Sequence, residues 1–240
     1  MKQFKTSLRT LYKFRLYSIV NILGLAVSLA CVIIIARYVH QEVTVNSFVD
    51  ELDRTYVMSS EGQSGQRYYI GVYGSTADEI VQEQVNNGLI EDISTFIPYE
   101  SDYIHIDDNQ YNTKLIVADN KFLKILPYPL LYGNNFSENP NEAILTKAFA
   151  KKLFGNKNPI GETFTFSNGE ILKVVGVVSE PSSKSFLEFD LLVNFNLRRQ
   201  WDRMDHNLIL LDNNNDYKKV NRNIAVTTTD DWNKSSKFQL

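Results

Sequence analysis

The chain has 240 residues, of which 43% are hydrophobic and 22% are charged, and a formal net charge of −3. This length and composition allow one sizeable folded domain, or two subdomains, and exclude an intrinsically disordered protein. All five charges of the first fifteen residues are positive, so the remaining chain is mildly acidic and lacks the basic surface that nucleic-acid binding requires.

An uncharged, apolar stretch follows the basic amino terminus. Residues 16–36 contain no charged side chain, and as a helix they span roughly 30 Å, the thickness of the hydrocarbon core of a bilayer. We therefore predict a cytoplasmic basic amphipathic segment over residues 1–15 and a transmembrane helix over residues 16–39, with membrane lipid as its partner. Because positive charges stay in the cytoplasm, the main domain is expected on the other side of the membrane.

Two processing signals offer alternative interpretations of the same stretch. A basic start followed by an apolar run also describes a signal peptide, and residues 28–31 are similar to a lipoprotein cleavage site. The apolar run continues past Cys31 to Ala36, which exceeds the core of a signal peptide, so an uncleaved span is favoured. Cys31 is the only cysteine, so it can form no internal disulfide.

The rest of the chain predicts a mixed domain over residues 40–225 and a polar tail over residues 226–240. The predicted strands are 56–58, 90–97, 103–106, 111–118, 143–145, 163–166, 171–178, 191–195 and 208–211. The predicted helices are 77–87, a short one that Asp119 caps and that runs through Leu126, and 147–154, while residues 59–66 are predicted as a loop. Strands outnumber helices without alternating strictly with them, so the expected fold class is α+β with antiparallel hairpins.

Three local signals support these elements. Thr146 is a predicted N-cap of the helix 147–154, and Gly155 is its predicted terminator. Asn168-Gly169 lies between two strand-like runs, a pattern typical of a β-hairpin.

The sequence contains no complete catalytic motif. A glycine-rich phosphate loop ending in Gly-Lys-Ser/Thr is absent from the sequence, so an ATP-driven function would need another chain. Residues 62–65 imitate the Gly-x-Ser-x-Gly turn of serine hydrolases but miss its last spacing, and His105 with Asp107 lacks further metal ligands. We predict no catalytic, cofactor-binding or metal-ligating residue, and therefore no enzymatic activity and no cofactor.

A series of short motifs runs in one register over residues 16–211. Its members are Phe48 and Tyr56 after the span; Asp119, Phe122 and Gly133; Thr146, Lys151, Lys152, Phe154, Gly155, Pro159 and Gly161; and Gly176, Pro181, Phe189 and Asp190. In this order they resemble the MacB-like periplasmic core domain of FtsX-type ABC-transporter permeases, although Asn46, Thr55 and Val57 depart from the family pattern. The motifs describe caps, turns and a hairpin, so we expect these residues to specify the fold.

The resemblance implies a non-catalytic permease of the export or mechanotransmission type in the cell inner membrane, with its main domain in the periplasm. It also implies a separate ABC ATPase subunit and a second permease copy as partners. Family members continue into three further spans, whereas residues 221–240 are polar, so this chain is not expected to transport anything by itself. The alternatives are a single-span membrane-anchored binding or adaptor protein and, third, an anchored enzyme.

Overall fold

The computed structural model describes residues 14–61, 67–68, 75–200, 206–213, 216–227 and 237–239. The chain divides into two compact units, Met1–Val45 and Asn46–Leu240. The predicted basic segment 1–15 lies outside the described residues except for its last two.

The first unit contains helix α1, Arg15–Val43, with 29 residues. Its length and apolar composition would allow it to cross a membrane, and it is the one such helix among the described residues. The predicted span 16–39 lies within it. The helix ends where the hydroxyl of Thr44 donates to the carbonyl oxygen of His40 at 2.7 Å.

The described part of the second unit combines twelve strands with four α-helices. The strands are β1 Thr55–Val57, β2 Ser59–Glu61, β3 Arg67–Tyr68, β4 Ile90–Ile106, β5 Asn109–Ala118, β6 Leu130–Gly133, β7 Glu142–Thr146, β8 Thr163–Phe166, β9 Ile171–Val178, β10 Leu191–Asn194, β11 His206–Leu211 and β12 Lys237–Gln239. The helices are α2 Ser75–Asn86, α3 Phe122–Ile125, α4 Lys147–Phe154 and α5 Tyr217–Thr227, and 3-10 turns cover Leu52–Arg54 and Phe195–Gln200. The α+β class with antiparallel hairpins is confirmed.

Six strands of the main sheet close into a ring. The pairing runs β4, β5, β10, β7, β9 and β8, and β8 then returns to β4 through the pair Ile104 and Phe166. Two of these pairings, β5 with β10 and β7 with β9, are parallel, and the others are antiparallel. Alternate residues of the strands fill the ring, and the buried members include Ile104, Leu115, Val117, Ala143, Leu145, Phe164, Phe166, Leu172, Val174, Leu191 and Val193.

A second buried cluster covers the outside of this ring. It joins Ile116 of β5, Ile144 of β7 and Leu192 of β10 to α3 and to Phe189. The five residues of β7 are all buried because both faces of this strand are covered. A third cluster packs α2 and α5 against β1, β11 and the start of β4.

Several local predictions agree with the structure. Thr146 caps α4, because its hydroxyl oxygen accepts from the N–H of Phe149 at 3.3 Å. Gly155 ends the helix with φ of 63°, and Gly169 has φ of 87° in the β8–β9 hairpin. The predicted helices 77–87 and 147–154 correspond to α2 and α4.

Other predictions need correction. The predicted strands 90–97 and 103–106 form one strand, β4, because an irregularity between Tyr99 and Asp102 lets it continue along β5. The predicted loop 59–66 is wrong for Ser59–Glu61, which form β2 between β3 and β12, and residues 62–66, with the imitated hydrolase turn, lie outside the described part. Local composition did not indicate a strand at Ser59–Glu61, because the hydrogen bonds of β2 come from a distant partner. That partner is β12, Lys237–Gln239, which lies in the predicted polar tail.

Candidate functional site

The leading segment, residues 46–48, begins the second unit and is bound to the facing loop, residues 183–190. The N–H of Asn46 donates to the carbonyl oxygen of Lys184 at 2.7 Å, and its side-chain oxygen accepts from the N–H of Phe186 at 2.9 Å. The N–H of Phe48 donates to the hydroxyl of Ser183 at 3.2 Å. Asn46 has φ of 60°, a left-handed conformation that asparagine adopts more readily than most residues.

Tyr128 contacts both the leading segment and the facing loop, which together form the junction. The hydroxyl of Tyr128 donates to the Oγ of Ser185 at 2.6 Å and lies 2.9 Å from the carbonyl oxygen of Leu187. Its ring packs edge-on against Phe48, with centroids 5.3 Å apart. Burial raises the pKa of Tyr128 to about 12, although the bond to Ser185 opposes the shift, so the hydroxyl keeps its proton near neutral pH.

A row of aromatic rings continues from the junction into the domain. Successive centroids lie 5.3, 4.9, 6.4, 5.7 and 5.2 Å apart. The members of this aromatic row are Phe48, Tyr128, Phe189, Phe122, Phe96 and His206. The row therefore connects the leading segment with β4 and β11 through side chains in contact.

Asp119 fixes the middle of the aromatic row. Its carboxylate accepts from the N–H groups of Phe122 at 3.1 Å and Thr95 at 2.8 Å, and from the hydroxyl of Ser94 at 2.7 Å. Burial raises the pKa of Asp119, and these hydrogen bonds oppose the shift. The carboxylate of Asp119 thus accepts from the N–H of the first residue of α3, as a capping side chain does, and also ties α3 to β4.

Asp190 holds the neighbouring end of the facing loop. Its carboxylate accepts from the N–H of Lys114 at 3.0 Å, and its carbonyl oxygen accepts from the N–H of Thr146 at 2.9 Å. Both bonds place Phe189, the preceding residue, against Tyr128. The junction is consequently anchored to β5 and to the end of β7.

The motif residues thus fall into two groups. Phe48, Asp119, Phe122, Phe189 and Asp190 form or support the aromatic row. Thr146, at the start of α4, touches this group because its N–H donates to the carbonyl oxygen of Asp190. The other predicted residues lie elsewhere: Tyr56 on Tyr217, Gly133 on β6, Gly176 on β9, Pro181 before the facing loop, and Lys151, Lys152, Phe154, Gly155, Pro159 and Gly161 around α4 and the turn after it.

Sequence reasoning missed the convergence of these residues. No sequence pattern pairs His206 with Phe96, yet the His206 ring stacks on Phe96 and burial lowers the pKa of His206. Asn46 meets Phe186 across 140 positions of sequence, and no periodicity spans such a separation. Within the described residues no group of three His, Cys, Asp or Glu could hold a metal ion.

Known proteins resemble this chain over most of its length. The family model of the MacB-like periplasmic core domain matches residues 18–234. A domain of a protein described as a permease from Porphyromonas gingivalis superposes with a TM-score of 0.63 at 15% identity, covering 80% of this chain and 89% of that one. A comparison with curated proteins gave no match.

Two further solved structures share the fold. The periplasmic region of MacB from Actinobacillus actinomycetemcomitans has a TM-score of 0.57 at 14% identity, over 76% of this chain and 86% of that one. The extracellular domain of the ABC-type transporter YknZ from Gram-positive bacteria has a TM-score of 0.56 at 14% identity, over 77% and 98%. The chain belongs to the MacB-like periplasmic core domain family, whose model matches well over half of its length.

Proposed function

We propose that this chain is the first span and periplasmic domain of an ABC-transporter permease that transmits movement between the membrane and the periplasm. In this proposal the chain is not an enzyme, and it works with a separate ABC ATPase and a second permease copy. The observation that carries the proposal is the junction, since the residues that follow α1 are fastened to the domain at both backbone and side-chain level.

Movement would enter the domain at Asn46, three positions after α1 ends. Three hydrogen bonds and the ring of Phe48 resist independent motion of the leading segment. A displacement of this segment would therefore move the facing loop and Tyr128 with it. The aromatic row would carry the displacement to β4 and β11, because close-packed side chains transmit strain.

The membrane arrangement is part of the same proposal. The five basic residues among the first fifteen favour a cytoplasmic amino terminus. A single helix satisfies its own backbone and exposes apolar side chains, so it offers no wall for a polar substrate. We assign the transport route and the surface that the ATPase drives to other membrane spans.

Capture from native membranes tests this function. The tagged chain is purified in mild detergent from the cells that encode it, and its partners are identified by mass spectrometry. We expect an ABC ATPase and a second permease copy. Recovery of the chain with neither of them would instead favour a single-span binding or adaptor protein.

Two further measurements separate the parts of the proposal. Reporter fusions after Ser59 should be active only outside the cytoplasm, and a fusion active in the cytoplasm would contradict the membrane arrangement. Co-expression of the chain with the ATPase alone in a foreign host should leave ATP turnover unchanged. Stimulated turnover there would place the coupling surface in residues 1–15.

A further inference from the structure

Strand β6 lies at one end of the main sheet. It pairs with β9 on one side, and within the described part of the chain no strand pairs with its other side. An unpaired strand edge presents backbone N–H and C=O groups to which a further strand can bond. β6 begins two positions after Tyr128, so this edge adjoins the junction along the chain.

The side chains on β6 are apolar and exposed. Leu130 is 44% exposed, Leu131 39% and Tyr132 57%. Seven large hydrophobic side chains are exposed in the described part of the second unit, and these three are the consecutive ones among them. A single exposed apolar side chain needs no explanation, but three in a row on an unpaired edge are typical of an interaction surface.

Charge is absent from this edge. Residues 125–137 are the longest stretch of the second unit without a charged side chain. Edge strands commonly carry lysine or another charge that prevents pairing, whereas β6 is only short and irregular between Leu130 and Tyr132. The irregularity limits the length of an added strand, but no charge opposes one.

A second copy of this chain suits this edge. The chain after residue 15 carries a formal net charge of −8, because the first fifteen residues hold five positive charges and the whole chain has −3. Two copies therefore repel over most of their surface and approach most easily where charge is absent. In a two-fold contact each side chain near the axis also meets its own counterpart, so a charge there would face a like charge. Partners of a different sequence are commonly selected by complementary charge, which residues 125–137 do not offer.

The size of the edge sets a condition on the pairing. A stable interface between soluble proteins buries about 800 Å² on each partner, which a strand of four residues cannot supply. Anchoring both copies in one membrane raises their effective concentration, so a smaller contact suffices. Helix α1 has the length and the composition for such an anchor.

We propose that β6 pairs antiparallel with β6 of a second copy, about a two-fold axis at Leu131. The inference rests on the proposed function, which places a second permease copy in the same membrane. In this arrangement Leu130 of one copy lies opposite Tyr132 of the partner subunit, and the two main sheets become continuous. Because β6 follows Tyr128, the pairing would also connect the junctions of the two copies.

Disulfide trapping in membranes of the cells that encode the chain tests the pairing. Leu131→Cys is made together with Cys31→Ser, which removes the only cysteine, and Ile171→Cys in the same background is the matched control. Ile171 is 60% exposed and lies on the β8–β9 hairpin, where it pairs with Thr165. We expect oxidation to trap at least about fivefold more dimer at Leu131 than at Ile171, because a disulfide needs Cβ atoms about 4 Å apart.

A charge swap tests whether the two edges face each other. Leu130→Lys with Tyr132→Lys, or both positions changed to glutamate, should each lower trapping at Leu131→Cys about fivefold, because like charges then lie opposite. Copies with the lysines, mixed with copies with the glutamates, should recover it, and tags of different size identify the mixed dimer on a gel. Lowered trapping without recovery in the mixed dimer would overturn the pairing, as the substitutions would then act within one copy.

Capture of a differently tagged wild-type copy separates this inference from the proposed function. If a second copy is captured but trapping at Leu131 is no greater than at Ile171, the pairing of β6 is refuted and the proposed function stands. If no second copy is captured, the proposed function loses this partner, and the pairing is refuted with it. Capture together with preferential trapping, and its recovery in the mixed dimer, supports both.

Discussion

The ring of Phe48 contacts the ring of Tyr128 edge-on, and the two residues are separated by eighty positions of sequence. Their centroids lie 5.3 Å apart at an interplanar angle of 63°. This contact joins the leading segment to the part of the second unit that carries α3, and it is the first step of the aromatic row.

A double-mutant cycle measures this step. Phe48→Leu and Tyr128→Leu are each expected to destabilise the domain, with a coupling of about 0.5–1.5 kcal/mol for the aromatic pair. Urea unfolding of the full chain in detergent gives the free energies. Phe48→Leu combined with Phe164→Leu is the control, because Phe164 belongs to the cluster inside the ring, and additive effects are expected there. Additivity in the Phe48–Tyr128 pair would remove the energetic basis for the row.

Substitutions of Asn46 separate its conformation from its hydrogen bond. Asn46→Asp keeps the acceptor for Phe186 and tolerates a left-handed φ, so we expect almost no change in stability. Asn46→Gly removes only the hydrogen-bond acceptor and should lower the free energy of unfolding by about 1 kcal/mol. Asn46→Ala removes the same acceptor and adds a conformational cost of about 1–2 kcal/mol. The same unfolding measurement should rank them Asp, Gly, Ala. A glycine variant as unstable as the alanine variant would contradict a conformational role.

Gly133 is expected to tolerate substitution less well than Gly169. Both have positive φ, so alanine is strained at either position. At Gly133 an added Cβ would also lie 2.0 Å from the carbonyl oxygen of Val175, whereas at Gly169 it would meet open space. Gly133→Ala should therefore lower the midpoint of thermal unfolding clearly more than Gly169→Ala, and equal shifts would mean that β6 can move away from β9.

The stability of the domain should fall as the pH drops through the range where His206 titrates. Burial lowers the pKa of His206 below the ordinary value of 6.5, so below that pH the unfolded chain binds a proton that the folded chain does not. The contribution of neutral His206 to the free energy of unfolding is complete above pH 6.5, and it is lost as the pH falls toward the pKa that His206 has in the folded chain. His206→Phe keeps an aromatic ring on Phe96 and removes the titration. Unfolding midpoints at about pH 7.5 and pH 5.5 should differ less in this variant than in the wild type, and an unchanged difference would exclude His206 as the source.

Features set by neighbouring residues could be predicted from the sequence alone. The apolar run that becomes α1, the Thr146 cap with the Gly155 terminator, and the Asn168-Gly169 hairpin all follow from interactions within a few positions. The order of motifs likewise indicated the family, because caps and turns at fixed spacings are read along the chain.

Only the tertiary structure decided which of these elements pair or pack with one another. β2 is a strand because β12 and β3 supply its hydrogen bonds, and β6 is a strand because β9 supplies them. Of these partners, β12 and β9 are distant in sequence from the strands they pair with. The junction depends on the contact between Asn46 and the loop at Phe186, which are 140 positions apart in the sequence. Such contacts follow from the closure of the ring and the packing of its outer face, which local propensity does not encode.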